Sequence, residues 1–95
     1  MEIITLSGKV VSPCEITTDI NGNQYVRFMV SCARDFNEKR SYNIYRCFTY
    51  DMNFRTLAEG DTVFLMGDIF LKIQYDKSEK AHICNDVFIK SISRI

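Results

Sequence analysis

The sequence predicts an all-β chain closed into a small barrel. Three observations carry that reading. Apolar and polar residues alternate at period two wherever the chain is apolar, which is strand spacing, because successive side chains on a strand point to opposite faces. One segment only, Met52 to Ala58, places apolar residues at helical spacing. A glycine, Gly67, stands in the middle of a strand pattern, where a small barrel needs a bulge or a sharp bend.

The elements follow in order. The first strand starts near Glu2, with Ile4, Leu6, Gly8 and Val10 alternating with Thr5, Ser7 and Lys9. Pro13 has no N–H for a ladder, so this strand bends, breaks or runs on an edge there. Asn21-Gly22 signals a tight hairpin, since both residues tolerate positive φ. Tyr25 to Cys32 forms the second strand, with Val26, Phe28, Val30 and Cys32 on one face and Arg27, Met29 and Ser31 on the other. Asp35 to Ser41 is polar and reads as a connecting loop. The third strand runs from about Tyr42 to Asp51. Met52 to Ala58 then makes about two helical turns, with Met52, Phe54, Leu57 and Ala58 placed to cap one barrel end. Gly60, in Glu59-Gly60-Asp61, is a natural stop for it.

The fourth strand, Thr62 to Tyr75, carries Val63, Leu65, Gly67, Ile69, Leu71 and Ile73 on one side. Asp76 to Lys80 is a charged hairpin tip. Ile83 to Ile92 is the fifth strand, and its parity slips between Ile89 and Ile92, which predicts a second bulge. Five strands with one short helix between the third and fourth is the order of an OB-fold, a Greek-key barrel. The 95 residues have room for one core, and residues 1–95 are read as a single domain without linker or repeat.

Composition narrows the function. Hydrophobic residues at 46% and charged residues at 25% are those of an ordinary globular domain, which excludes a disordered tail, a collagen-like repeat and a disulfide miniprotein. No apolar run approaches the ~20 residues of a membrane-spanning helix, and the start lacks a secretion signal, so a cytoplasmic chain without a membrane partner is expected. Twelve basic against twelve acidic residues give a net charge of zero, which weighs against a nucleic-acid binder unless the cations share one face. Cys14, Cys32, Cys47 and Cys84 form no C-x-x-C pair, and His82 does not complete a zinc set. Reduced, mostly buried thiols are expected, with no metal and no cofactor. The sequence has no nucleophile elbow, phosphate loop or H-E-x-x-H pair. The single histidine lies beside a charged hairpin, and Asp76 and Glu79 share its solvated tip. No enzyme is expected.

The third strand carries the sharper signal. With Tyr45, Cys47 and Thr49 inward, Ile44, Arg46, Phe48 and Tyr50 lie in a row on the outer surface. Side chains two apart on a strand stand ~7 Å apart, so such rings can each take a base of a splayed single strand. Arg46 among them can pair with phosphate or stack through its guanidinium plane. In the opposite parity, Phe48 and Tyr50 would be core and Tyr45 and Cys47 would look out. Arg27, Phe70 and Lys72 are candidates for the same surface by parity. Tyr75 reaches it only if the strand end twists. Phe36, near Arg34, Lys39 and Arg40, is either a stacking group or a plug over the barrel end. Lys77 and Lys80 flank the surface on the hairpin between the fourth and fifth strands.

The order Leu6-Ser7-Gly8-Lys9-Val10, Pro13, Asn21-Gly22 and Val26-x-Phe28 resembles the opening of the bacterial single-stranded-DNA-binding proteins. Tyr45-Arg46-Cys47-Phe48-Thr49-Tyr50 is similar to that family's third strand, and Glu59-Gly60-Asp61-x-Val63-x-x-x-Gly67 to its entry into the fourth. The resemblance spans essentially the whole chain. It implies stacking positions at Phe36, Ile44, Tyr50 and Gln74, of which Phe36 and Tyr50 keep a ring while Tyr45 and Tyr75 stand beside the other two. Arg46 matches the family's third-strand arginine, and Phe70 and Lys72 its basic fourth-strand positions. The helix region is shorter than the family's, there is no Trp, and no acidic-tipped tail follows the fifth strand. A minor or mobile-element paralogue is implied, or the tailless primosomal replication protein, a dimeric OB-fold of the same superfamily.

Two functions are therefore weighed. The first is sequence-independent binding of single-stranded DNA in replication, recombination or repair, by stacking on aromatics and phosphate contacts from Arg and Lys; RNA would use the same logic. The second is a protein-interaction module with weak or no nucleic-acid binding, favoured by neutral charge and by Asp35, Glu38 and Asp51 near the surface. Under both, a homo-oligomer (dimer or tetramer) is expected, because the first strand, Ile3 to Val11, carries little charge and exposes backbone donors and acceptors unless another strand or subunit covers them, and replication proteins are candidate partners.

Overall fold

The computed structural model describes residues 2–95; for residues 34–36 it describes the backbone alone. The elements are β1 (Glu2–Val10), β2 (Glu15–Thr18), β3 (Gln24–Phe36), β4 (Lys39–Thr49), a 3-10 turn (Met52–Thr56), β5 (Thr62–Tyr75) and β6 (Ala81–Arg94). The sheet runs β1-β5-β6-β4-β3-β2, and a second pairing of β1 with β3 closes it into a five-stranded barrel. β1 follows β5 from Glu2 to Lys9 and meets β3 only at Lys9 and Val10. All neighbours are antiparallel except β4 and β6. This is the OB-fold arrangement expected from the element order.

The alternating faces meet in one core. Leu6, Val10, Val26, Phe28, Val30, Tyr45, Cys47, Val63, Leu65, Val87 and Ile89 are buried inside the barrel, each apolar side chain of Val or Leu size contributing about 1.5–3 kcal/mol. Tyr45, large as it is, faces inward with Cys47 and Thr49. That fixes the parity of β4: its even positions face out.

The helix expectation needs correction. Met52–Thr56 is a single 3-10 turn, closed by i→i+3 bonds from Phe54 N to Asp51 O and Leu57 N to Phe54 O, each 3.2 Å. The Asp51 carboxylate accepts from Asn53 N at 3.0 Å and caps it. Leu57 is buried in the barrel mouth, with Met52 and Phe54 packed against the core. Ala58 stays exposed, and the turn ends before Gly60, whose N–H instead bonds Val10 O at 2.8 Å. The tighter winding lets three apolar residues reach one mouth without adding a second turn.

Other differences have equally local causes. β2 was not expected: Glu15-Ile16-Thr17-Thr18 lies along the outer edge of β3 and buries little, so no amphipathic alternation marks it. The β2–β3 connection is a five-residue loop organised by Asp19 rather than a two-residue turn, the carboxylate accepting from Asn21 N and Asn23 N at 2.9 and 2.8 Å. The expected loop at 35–41 is instead the end of a long hairpin, β3 and β4 staying paired to Phe36–Lys39. Its turn, Asn37-Glu38, has φ of 49° and 63°, the doubly positive geometry that suits a two-residue hairpin. None of the four thiols is in a disulfide; only Cys47 is fully buried and the others are half-buried. Burial pushes the Cys47 thiol up to about 12.

The two expected bulges are one. Met66 faces Ser91 and Gly67 faces Ile89, leaving Lys90 as the extra residue of β6. The slip in β6 and the glycine of β5 are the two sides of that bulge. A Cβ at Gly67 would stand 2.2 Å from Phe88 O, so only glycine lets the strands approach this closely.

Candidate nucleic-acid interface

The even positions of β4 lie between the odd positions of β3 and the even positions of β6, because Arg27 faces Phe48, Met29 faces Arg46, and Phe48 faces Phe88 across the ladders. This outer surface gathers four rings. Tyr25 and Phe48 stand 6.0 Å apart between centroids, Tyr25 and Tyr50 5.7 Å, and Tyr50 and Phe88 5.7 Å. Interplanar angles of 45° to 57° make these tilted pairs, an arrangement aromatic quadrupoles favour at this separation. Tyr50 and Phe88 remain 46% and 42% exposed. Large rings left this open on a barrel wall offer flat surfaces on which planar groups can stack.

Tyr25 and Phe88 were not singled out from the sequence, although a signal existed. Tyr25 shares the parity of Arg27 and Met29. Phe88 stands between Val87 and Ile89, and the alternation that buries those two sends Phe88 outside. Ring–ring contact between strands distant in sequence is what joins them to Phe48 and Tyr50.

The platform is braced from its edge. Tyr50 Oη donates to Asp19 Oδ2 at 2.8 Å, tying the ring to the β2–β3 loop. The bond from Asn23 N, and next that from Tyr50, hold the Asp19 carboxyl below its ordinary range. The same contact raises the phenol of Tyr50 above its ordinary value of 10.0.

The cations behave differently from the expectation of free phosphate ligands. Arg46 is clamped by Asp86, Nε donating to Oδ1 at 2.6 Å and Nη2 to Oδ2 at 2.9 Å. Their side chains are only 25% and 14% exposed, and the hydrogen bond to Asp86 raises the pKa of the guanidinium further. Arg27 is likewise paired with Glu15, 2.6 Å from its carboxylate. Both arginines thus face the platform already neutralised by carboxylates of the chain. The pairing of Arg46 with Asp86 rests on the parallel β4–β6 ladder, a neighbour relation across 40 residues that local pattern does not reveal.

The remaining candidates divide by position. Phe70 is opposite Asp86 on the antiparallel β5–β6 ladder, and Lys72 opposite Cys84, so both continue the outer face toward the β5–β6 hairpin. No ion pair engages Lys72 among the described residues. Tyr75 does not join them: it faces Ala81 on the other side of that hairpin, in line with Leu71 and Ile73. Arg34 and Phe36 lie within β3, paired with Ser41 and Lys39, and their side chains are outside the described part of the structure. Phe36 is therefore a strand residue by backbone, not a loop residue. Among the described residues no group of three or more His, Cys, Asp and Glu is placed to hold a metal ion, and no helix is long and apolar enough to cross a membrane.

No family model matches the chain, and no curated protein matches it by sequence. Solved structures do. The small single-stranded DNA-binding protein of Streptomyces coelicolor superposes with a TM-score of 0.83 at 18% identity, covering 99% of this chain and 94% of that one. The SSB of Plasmodium falciparum, in a structure with single-stranded DNA, gives 0.76 at 16% identity, covering 100% and 95%. At these identities the likeness is one of fold, and it extends over nearly the full length of both partners.

Proposed function

We propose that this chain binds single-stranded DNA without catalysing a reaction, the bases stacking on the outer face of β3, β4 and β6. The observation that carries the reading is the open group of touching rings, Tyr25, Phe48, Tyr50 and Phe88. Its fold is shared with proteins that bind single-stranded DNA, one of them solved with that ligand. Every base has a π-face, so recognition by stacking tolerates any sequence. Phe70 and Lys72 extend the path along β5, with Lys72 as a cation free to meet phosphate.

Self-pairing of Arg27 and Arg46 sets the electrostatics of this binding. Each phosphate neutralised on a single strand contributes roughly −0.7 to the slope of log K against log salt. With its arginines already paired and a net charge of zero, the chain binds with a shallow slope and most of its affinity from stacking. Titrating a thymine oligonucleotide at two ionic strengths tests this. Binding that weakens modestly with salt is expected. No binding at low salt overturns the reading and leaves a protein-interaction module in its place.

The same reading includes self-association. From Glu2 to Gly8, β1 is paired on the β5 side only, and an open strand edge is a template for pairing with another strand or subunit. A dimer or tetramer in replication, recombination or repair, acting in the cytoplasm, is the setting that fits. Light scattering on the eluting peak checks it: a monomer at working concentration removes the oligomer from the proposal.

A further inference from the structure

We infer that the cleft beside the platform, between β2 and β4, is a subsite that selects guanine; the inference rests on the nucleic-acid reading above and adds base choice to it. The cleft holds about 280 Å³ and is walled by Pro13, Glu15, Arg27, Met29, Arg46 and Phe48 among others. That is near the lower end of ligand-pocket sizes, room for one base rather than a chain of them. Phe48 belongs both to the cleft and to the ring group. A strand stacked on the rings therefore reaches the cleft with a neighbouring base.

The chemistry of the wall is specific. Pro13 and Met29 offer apolar surface to a base plane. Glu15 and Arg27 face each other across the β2–β3 ladder, and both contacts from Arg27, through Nε at 2.8 Å and Nη2 at 2.6 Å, fall on one oxygen, Oε2. Oε1 has no partner among the described residues. An ionised carboxylate only accepts hydrogen bonds. Beside a DNA strand it repels phosphate, and its favourable partners are donors on base edges.

Guanine alone presents two adjacent donors, N1–H and the N2 amino group, with two acceptors, O6 and N7, on the next edge for an arginine. Thymine has one ring N–H flanked by carbonyls. In adenine and cytosine the amino group sits beside an acceptor ring nitrogen, whose lone pair would face Oε1, the one carboxylate oxygen that Arg27 leaves open. The carboxylate of Glu15 next to the guanidinium of Arg27 thus matches guanine and disfavours the other three.

The test is fluorescence anisotropy with a thymine-only oligonucleotide and with the same strand carrying one central guanine, adenine, cytosine or hypoxanthine. The guanine strand should bind about tenfold tighter than thymine, the scale of one good bidentate base contact. Hypoxanthine, lacking the N2 amino group, should fall between. In Glu15→Gln the guanine-to-thymine ratio should drop to near one. Because the readout is a ratio, a uniform loss of binding leaves it unmoved. A ratio of one in the native chain, with thymine binding intact, overturns the subsite alone, and so does a ratio that survives Glu15→Gln. Failure of the thymine strand to bind at all overturns the platform reading, and the subsite falls with it.

Discussion

The ring platform and the β5–β6 hairpin arm follow the same strand alternation and end in opposite states. On the platform the two arginines and one ring hydroxyl are held: Arg46 by Asp86, Arg27 by Glu15, the Tyr50 hydroxyl by Asp19. On the arm, Leu71, Ile73 and Ile83 continue the inward parity of Ile69 and Val87, yet Leu71 and Ile83 are each 72% exposed. β5 and β6 outrun the barrel there, so the face that would be core is left uncovered by the described residues. Parity decides which face a residue takes; the length of the neighbouring strands decides whether that face is covered.

The joint between the two regions should give the largest effect. Gly67 lies where the bulge turns the strands, against the Phe88 carbonyl. Gly67→Val forces backbone apart and should cost about 3 kcal/mol or more, lowering the denaturant midpoint and displacing Phe88 from the platform. A midpoint equal to the native one would show that the close approach is dispensable. The next effect separates the regions by function. Tyr50→Ala should lose about 1–3 kcal/mol of affinity for single-stranded DNA, whereas Ile73→Ala, on the far side of the arm, should change it by less than about 0.5 kcal/mol. If the two variants lose affinity alike, the comparison fails.

A smaller effect concerns charge. Asp86→Asn releases Arg46 toward phosphate and should steepen the log–log salt slope by roughly 0.7; an unchanged slope would mean that Arg46 stays out of reach of the strand. The smallest effects are pH effects at the edges. The Tyr50 phenol is raised, so the tie to Asp19 stabilises the neutral form below pH 10.0 and is lost as pH rises through the shifted value. Its absorbance titration should move back toward 10.0 in Asp19→Asn. At the arm tip, bonds from Ser78, then His82 and the Lys80 N–H, hold Asp76 at about 2, below its ordinary 3.8. The tip is therefore firm above pH 3.8 and loosens as pH falls toward 2, which amide exchange at Ser78 and Lys80 should register. Uniform exchange across that range would deny Asp76 its role.

Much of the barrel was legible from period-two alternation, because burial of one sheet face demands it. The outward row Ile44, Arg46, Phe48 and Tyr50 was readable for the same reason, as was the succession of the five barrel strands along the chain. β2 was not, since four residues lying along an outer edge leave no apolar rhythm. The hairpin through 34–41 was hidden because polar residues serve equally in a solvated ladder and in a loop. The ring contacts of Tyr25 and Phe88 escaped notice although their parity was visible, for parity does not say which strands become neighbours.

Local chemistry alone thus determined which residues turn inward, where the chain bends and which side chains stand in the water, since each follows from the geometry of one strand and the cost of exposing apolar surface. Only closure of the barrel decided who meets whom. The parallel contact of β4 with β6 brought Asp86 to Arg46 and Phe88 beside Tyr50, turning a row of rings and a free cation into a joined aromatic surface whose charge is already matched. Pairings of that kind depend on strand order and register across tens of residues, and no local pattern encodes them.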